Sequence, residues 1–237
     1  ANPTEISMKS PKYGVSSQYT FDLQIETDND ADCRWSFDES ELEFSFMDKF
    51  TSLLGTVNTI KDFSRISQND PRIHKLSVKC KDSKNRISSK DFDLSVDTTK
   101  PLIKNSFAYP NPVVESPAAT ALTLESDEPV ICKYSQTKNT FREMELAFKD
   151  YGASNFATTN RQNVSFSGEG KYTFYVACIN RAELESDTAT LNIEVNYANL
   201  ITVSSRTPEF FNSTSVSLIV ETNKLSQCKY SETQSSI

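Results

Sequence analysis

Glycine is scarce in this chain: five residues in 237, so the many turns must be carried by Asn, Asp, Ser and Lys. Thr27-Asp28-Asn29-Asp30 and Lys81-Asp82-Ser83-Lys84-Asn85 are such segments. There is one histidine, His74, and it has no counterpart in the second half of the chain, where the matching residues are Glu169-Gly170-Lys171. It reads as a structural strand residue. The chain has no Gly-x-Ser-x-Gly elbow, no phosphate-binding glycine loop and no HExxH pair, which removes the parts for nucleophilic, phosphoryl and zinc chemistry. No catalysis and no cofactor are expected. Basic residues are not in excess: the net charge is -7 and the pI about 4.9, against binding of nucleic acid or anionic lipid. No run approaches the roughly 18 apolar residues of a membrane-spanning helix. The N-terminus lacks a charged-then-apolar signal pattern, as in a mature or trimmed product.

What the chain does have is an internal repeat. Three cysteines sit in one short phrase: Thr27 to Cys33-Arg34-Trp35-Ser36, Ser126 to Cys132-Lys133-Tyr134-Ser135, and Thr222 to Cys228-Lys229-Tyr230-Ser231. A period of about 98 residues makes the chain a string of similar domains. Cys80 follows Cys33 by 47 residues and Cys178 follows Cys132 by 46, whereas the chain stops at Ile237 before Cys228 meets a mate. The expected domains are 1–99, 100–197 and the first strands of an incomplete third at 198–237. Truncation of a longer chain, or strands supplied by a neighbouring chain, would each account for that remainder.

Alternation places both cysteines of a unit in phase with apolar side chains, as in Leu76, Val78, Cys80 and Phe174, Val176, Cys178. Without CxxC or HxxxH clusters, the pairs Cys33 with Cys80 and Cys132 with Cys178 read as disulfides, the competing reading being reduced core cysteines. An oxidising, exported location follows from the bridges. Cys228 is left unpaired. Asn163-Val164-Ser165 and Asn212-Ser213-Thr214 are acceptor sequences for N-linked glycan.

Each unit shows five clear strand patterns and no long helical period, which describes an all-β antiparallel sandwich. In the middle, Phe44, Phe46, Met47 and Phe50, and Phe141, Met144, Leu146 and Phe148, fall at spacings that suit a short helical turn. Trp35 and Tyr134, two residues beyond the first cysteines, are placed beside the bridges as core aromatics.

Val96-Asp97-Thr98-Thr99-Lys100-Pro101 resembles the Val-Asp-Thr-Thr-x-Pro junction between bacterial immunoglobulin-like repeats. Cys33-Arg34-Trp35-Ser36 with Val78-Lys79-Cys80-Lys81-Asp82 is similar to a Cys-Arg-Tyr-Ser to Cys-x-Asp repeat of archaeal surface proteins. The likeness covers essentially the whole chain. The junction at Val195-Asn196-Tyr197 departs from it, and Lys84-Asn85 and Arg181-Ala182 replace the expected Gly-Asn.

This resemblance implies tandem Ig-like domains of a cell-surface stalk, S-layer or filament subunit, outside the cell, with copies of itself or neighbouring surface proteins as partners. The alternative is an adhesin or carbohydrate-binding module using loops such as 56–69 and 151–162. Asp28, Asp30 and Asp32 have the alternation of a calcium loop, but lack the central glycine and terminal glutamate of an EF-hand. A solvated acidic turn is the preferred reading there, and calcium at the Asp97 junction is left open.

Overall fold

The computed structural model describes residues 4–39, 41–54, 56–149, 155–197, 203–205, 219–223 and 227–228. The first nine strands are β1 (Ile6–Ser10), β2 (Val15–Ser16), β3 (Phe21–Thr27), β4 (Ala31–Phe37), β5 (Asp48–Lys49), β6 (Ser52–Leu54), β7 (Val57–Phe63), β8 (His74–Asp82) and β9 (Ile87–Val96). They form two sheets, in the orders β1-β3-β7-β6 and β2-β9-β8-β4-β5. Among the described pairs of these nine strands, only β2–β9 is parallel. Strand alternation sends Leu23 and Ile25 of one sheet, and Cys33, Leu76, Val78 and Leu94 of the other, into one core. Each fully buried Leu or Ile contributes about 1.5–3 kcal/mol relative to exposure. The result is an Ig-like sandwich.

A second sandwich repeats the plan in β10 (Ile103–Tyr109), β11 (Ala119–Ser135), β12 (Leu146–Ala147), β13 (Ala157–Ser165), β14 (Gly170–Ile179) and β15 (Ala189–Val195). Here one long strand, β11, does what β3 and β4 do separately. Its first half pairs with β10 and β13, its register shifts between Glu125 and Val130, and its second half pairs with β14 and β12. It thereby crosses from one sheet to the other. The second core gathers Leu122, Leu124, Cys132, Phe174, Val176 and Ile193 and shares no residue with the first. A two-stranded pair, β16 (Val203–Ser205) with β17 (Val220–Thr222), follows. Most of 198–237 lies outside the described residues, so the expectation of a partial third domain is not addressed by them.

The helical turns shrink. Phe44–Phe46 is a single 3-10 turn, and Met144 N–H donates to Thr140 O at 3.1 Å in one isolated turn. The neighbouring strands set this limit. Residues 48–49 and 146–147 are taken up as short edge strands against β4 and β11, leaving only a few residues between to coil. Phe46 and Leu146 accordingly stay exposed, while Met47, Phe50 and Phe148 turn inward.

Candidate functional site at the joint between the sandwiches

Cys33 and Cys80 are bonded, as are Cys132 and Cys178, and all four are buried. Each pair is directly opposed on adjacent strands, β4 with β8 and β11 with β14, with Cα atoms 4.0 Å apart. Opposed residues approach this closely at the narrow, non-hydrogen-bonded positions of an antiparallel ladder. The bridges therefore staple neighbours within one sheet and do not tie the two sheets together. Trp35 packs its ring edge-on to Phe63, with centroids 5.8 Å apart, and donates its indole N–H to Lys49 O. Tyr134 sits against Phe148 and Phe174 in the corresponding place. Both aromatics belong to the cores.

His74 is also buried. Its Nδ1 lies 2.8 Å from Asp38 Oδ2, its other nitrogen faces the Asp70 carbonyl at 3.3 Å, and its ring stacks on Phe37. Arg72 and the Lys75 N–H add bonds to the same carboxylate. Burial would push the Asp38 carboxyl up, but these donors outweigh it and hold the group below the usual carboxylate range. The cluster clamps the loop before β8 to the end of β4.

The acidic turn resolves into a backbone brace. Asp28 Oδ1 accepts the Glu5 N–H at 2.9 Å, Asp30 and Asp32 are exposed, and no metal-holding group of three or more acids, cysteines or histidines occurs among the described residues. Asn163 is exposed on β13, where a glycan would meet no core. Asn212 lies outside the described residues, and Cys228 is free and exposed.

A buried polar arrangement lies where the chain passes from the first sandwich to the second. Asn180, fully buried two residues after Cys178, directs its amide Nδ2 at Asp97 Oδ2 (3.0 Å), Thr99 O (3.1 Å) and Glu128 Oε1 (3.2 Å). Its Oδ1 accepts the Leu184 N–H at 3.0 Å. One side chain thus ties the outgoing segment of the first sandwich to two turns of the second. Burial, together with the charges of Asp97 and Asp127, pushes the Glu128 carboxyl up despite the bond from Asn180. The turn is anchored by Leu102 and Asp127, which exchange Leu102 N to Asp127 Oδ1 (2.8 Å) and Asp127 N to Leu102 O (3.1 Å).

An aromatic contact closes the other side of the joint. Tyr13, on the turn between β1 and β2, meets Phe156 edge-on at 4.9 Å, and Arg181 lies over the Phe156 ring. Gly14 shapes that turn: its φ is +76°, and a Cβ there would fall 2.3 Å from Asp93 O. A cleft of about 420 Å³ beside the contact is lined by Lys12, Tyr13, Phe141, Arg142, Glu183 and Glu185. Sequence reading did not single out Asn180, Glu128 or Tyr13 as joint residues. The signal for Asn180 was present in the Cys-x-Asp and Cys-x-Asn phrases, Cys80-Lys81-Asp82 and Cys178-Ile179-Asn180.

No family model matches this chain, and no curated protein matches it. Among solved structures it is similar to fibronectin(III)-like modules of Clostridium thermocellum CbhA, at 12% identity and a TM-score of 0.41, over 83% of this chain and 97% of the other. The D00-D0 domain of intimin is similar at 12% identity and a TM-score of 0.25, over 79% and 99%. Domains 4 and 5 of the S-layer protein SbsC are similar at 8% identity and a TM-score of 0.24, over 82% and 98%. At scores this low none of them bears on the work this chain does.

Proposed function

We propose that this chain is a non-catalytic structural segment of an extracellular repeat protein, whose work is to hold Ig-like units in series at a fixed spacing on the cell surface. The observation that carries this reading is the Asn180 hub, which bonds Asp97 and Thr99 across the boundary between the units and Glu128 within the second. A flexible string of sandwiches has no use for a fully buried polar side chain bonded to the linker. Two buried disulfides support the same reading, since they restrain each unit and belong to an oxidising location.

Single-molecule stretching tests it. Each unit should unfold as a discrete event whose extension lacks the loop closed by its bridge, and reduction should release about 3.3–3.6 Å per freed residue. A chain that lengthens at low force without discrete events contradicts a spacer. Selective hits on a glycan array would favour the adhesin reading instead.

A further inference from the structure

The two sandwiches present the same head. In the first, Glu5 N donates to Asp28 Oδ1 at 2.9 Å and Asp28 N to Glu5 O at 3.3 Å, repeating the exchange of Leu102 with Asp127. The turn from Asp82 to Arg86 matches that from Asn180 to Leu184. Asp82 N donates to Arg86 O and Arg86 N to Asp82 Oδ1, as Asn180 N donates to Leu184 O and Leu184 N to Asn180 Oδ1. Asn85 and Glu183 occupy the same positive-φ position, at 63° and 59°. The second head is covered by the tail of the first sandwich. The first head presents a cleft of about 730 Å³, lined by Asp30, Asp32, Lys81, Asp82, Ser83 and Asn85.

The side chains on these equal frames differ in a paired way. On the second head Ile131, Ala177 and Ile179 form a buried apolar seat with Phe141 and Met144, against which Phe156 packs to meet Tyr13. The first head has Asp32, Lys79 and Lys81 at those positions, counted from the cysteines. None of these three is apolar, and the apolar side chains beside Lys79, Phe44 and Ile87, line a separate cleft with Glu43. The tail of the second sandwich correspondingly has no aromatic knob: its turn runs Pro110-Asn111-Pro112-Val113, two residues shorter than Pro11 to Ser16, and skips the place of Tyr13. The hub is exchanged as well. Asp97 N donates to Ser16 O and Asn196 N to Val113 O, both at 2.9 Å, so Asn196 stands where Asp97 does, while Asp82 stands where Asn180 does.

We propose that the head of the first sandwich is a docking surface for the tail of a preceding Ig-like unit of the second type, with a polar joint centred on an Asn196-type amide and Asp82. This rests on the reading of the chain as a rigid serial spacer. An acid-on-tail, amide-on-head joint thus alternates with an amide-on-tail, acid-on-head joint. Asp30, Asp32 and Asp82 on the first head are balanced by Lys79, Lys81 and Arg86, so discrimination rests on hydrogen-bonding sense: an ionised Asp82 accepts from a neutral amide, whereas an Asp97-type carboxylate has no proton to offer it. The segment that does follow the second sandwich agrees: Gln227, polar and exposed, precedes Cys228 where Asp32 precedes Cys33 and Ile131 precedes Cys132.

The test is a chain in which a copy of residues 100–197 is joined through Tyr197 to Asn2 of the full protein, which reproduces the five-residue step from Asp97 to Leu102. Spin-label pairs across the new joint and across the existing one are measured by pulsed electron resonance in the same molecule. The new joint should give one narrow distance peak. Asn196→Asp in the leading copy should abolish that peak, and adding Asp82→Asn should restore it by recreating the Asp97–Asn180 pair. A broad distribution at the new joint beside a narrow one at the existing joint overturns the docking surface alone, and broad distributions at both overturn the spacer reading beneath it. A narrow peak that ignores both substitutions overturns the exchange of acid and amide.

Discussion

Asn180 and Asp97 lie 83 residues apart in sequence and 3.0 Å apart in space, the amide of one donating to the carboxylate of the other across the boundary between two sandwiches. Glu128 and the Thr99 carbonyl share that same NH2 group, so three acceptors converge on two protons. The joint is polar, and one side chain stands at its centre.

Replacing that side chain should loosen the joint before it unfolds either sandwich. Asn180→Ala removes the amide bonded to Glu128, Thr99 O and the Leu184 N–H, while Asp97 keeps its bonds from the Thr99 N–H and hydroxyl, so the loss should be about 1–3 kcal/mol in all. The thermal midpoint of the second sandwich should fall, with the first unchanged. Equal falls in both would mean that the cores are not independent.

Glu128 predicts an unusual pH response. Its carboxyl is raised above 4.5 in the folded protein, first by burial and then by Asp97 and Asp127, so protonation favours the assembled joint. The penalty is absent below 4.5, develops as pH rises through the raised value and is complete above it. Glu128→Gln, which can also donate to Asp97, should therefore stabilise the second sandwich at pH 7, with the gain vanishing below about pH 4.5. Asp38 and Asp82 act in the opposite sense. Their lowered carboxyls contribute stability above 3.8 that is lost as pH falls further. Thermal melts across pH for the wild type and Glu128→Gln check the sign.

Removing one bridge should affect one sandwich. Paired Cys33→Ala and Cys80→Ala substitutions release a loop of 47 residues, and the chain-entropy estimate is roughly 4 kcal/mol lost from the first sandwich. Calorimetry should show one transition moving down and the other staying in place, because the two cores share no residue.

Gly14→Ala should act on both levels. A Cβ at 2.3 Å from Asp93 O, on backbone with φ at +76°, forces the turn that carries Tyr13 off β9. Both the midpoint of the first sandwich and the Tyr13–Phe156 contact should suffer, the latter read from nuclear Overhauser effects between the rings.

Much of each sandwich was legible in the chain. The alternation of Leu76, Val78 and Cys80 fixed a strand face, and the repeat of the cysteine phrase fixed the unit. The helical spacing of Phe44, Phe46 and Met47 gives only a single 3-10 turn, because edge pairing of residues 48–49 with β4 leaves too few residues to extend it. The joint was least legible. Asn180 draws its partners from positions 97, 99 and 128, and no local pattern brings those together. Sandwich topology does, by returning each turn to the same end.

The most direct test of a rigid joint is residual dipolar coupling in a weakly aligned sample of the full chain. A single alignment tensor should fit the amides of residues 4–97 and 102–197 together, and Asn180→Ala should split it into two of unequal magnitude. Two unequal tensors in the wild type, or one tensor unaffected by the substitution, would contradict the account.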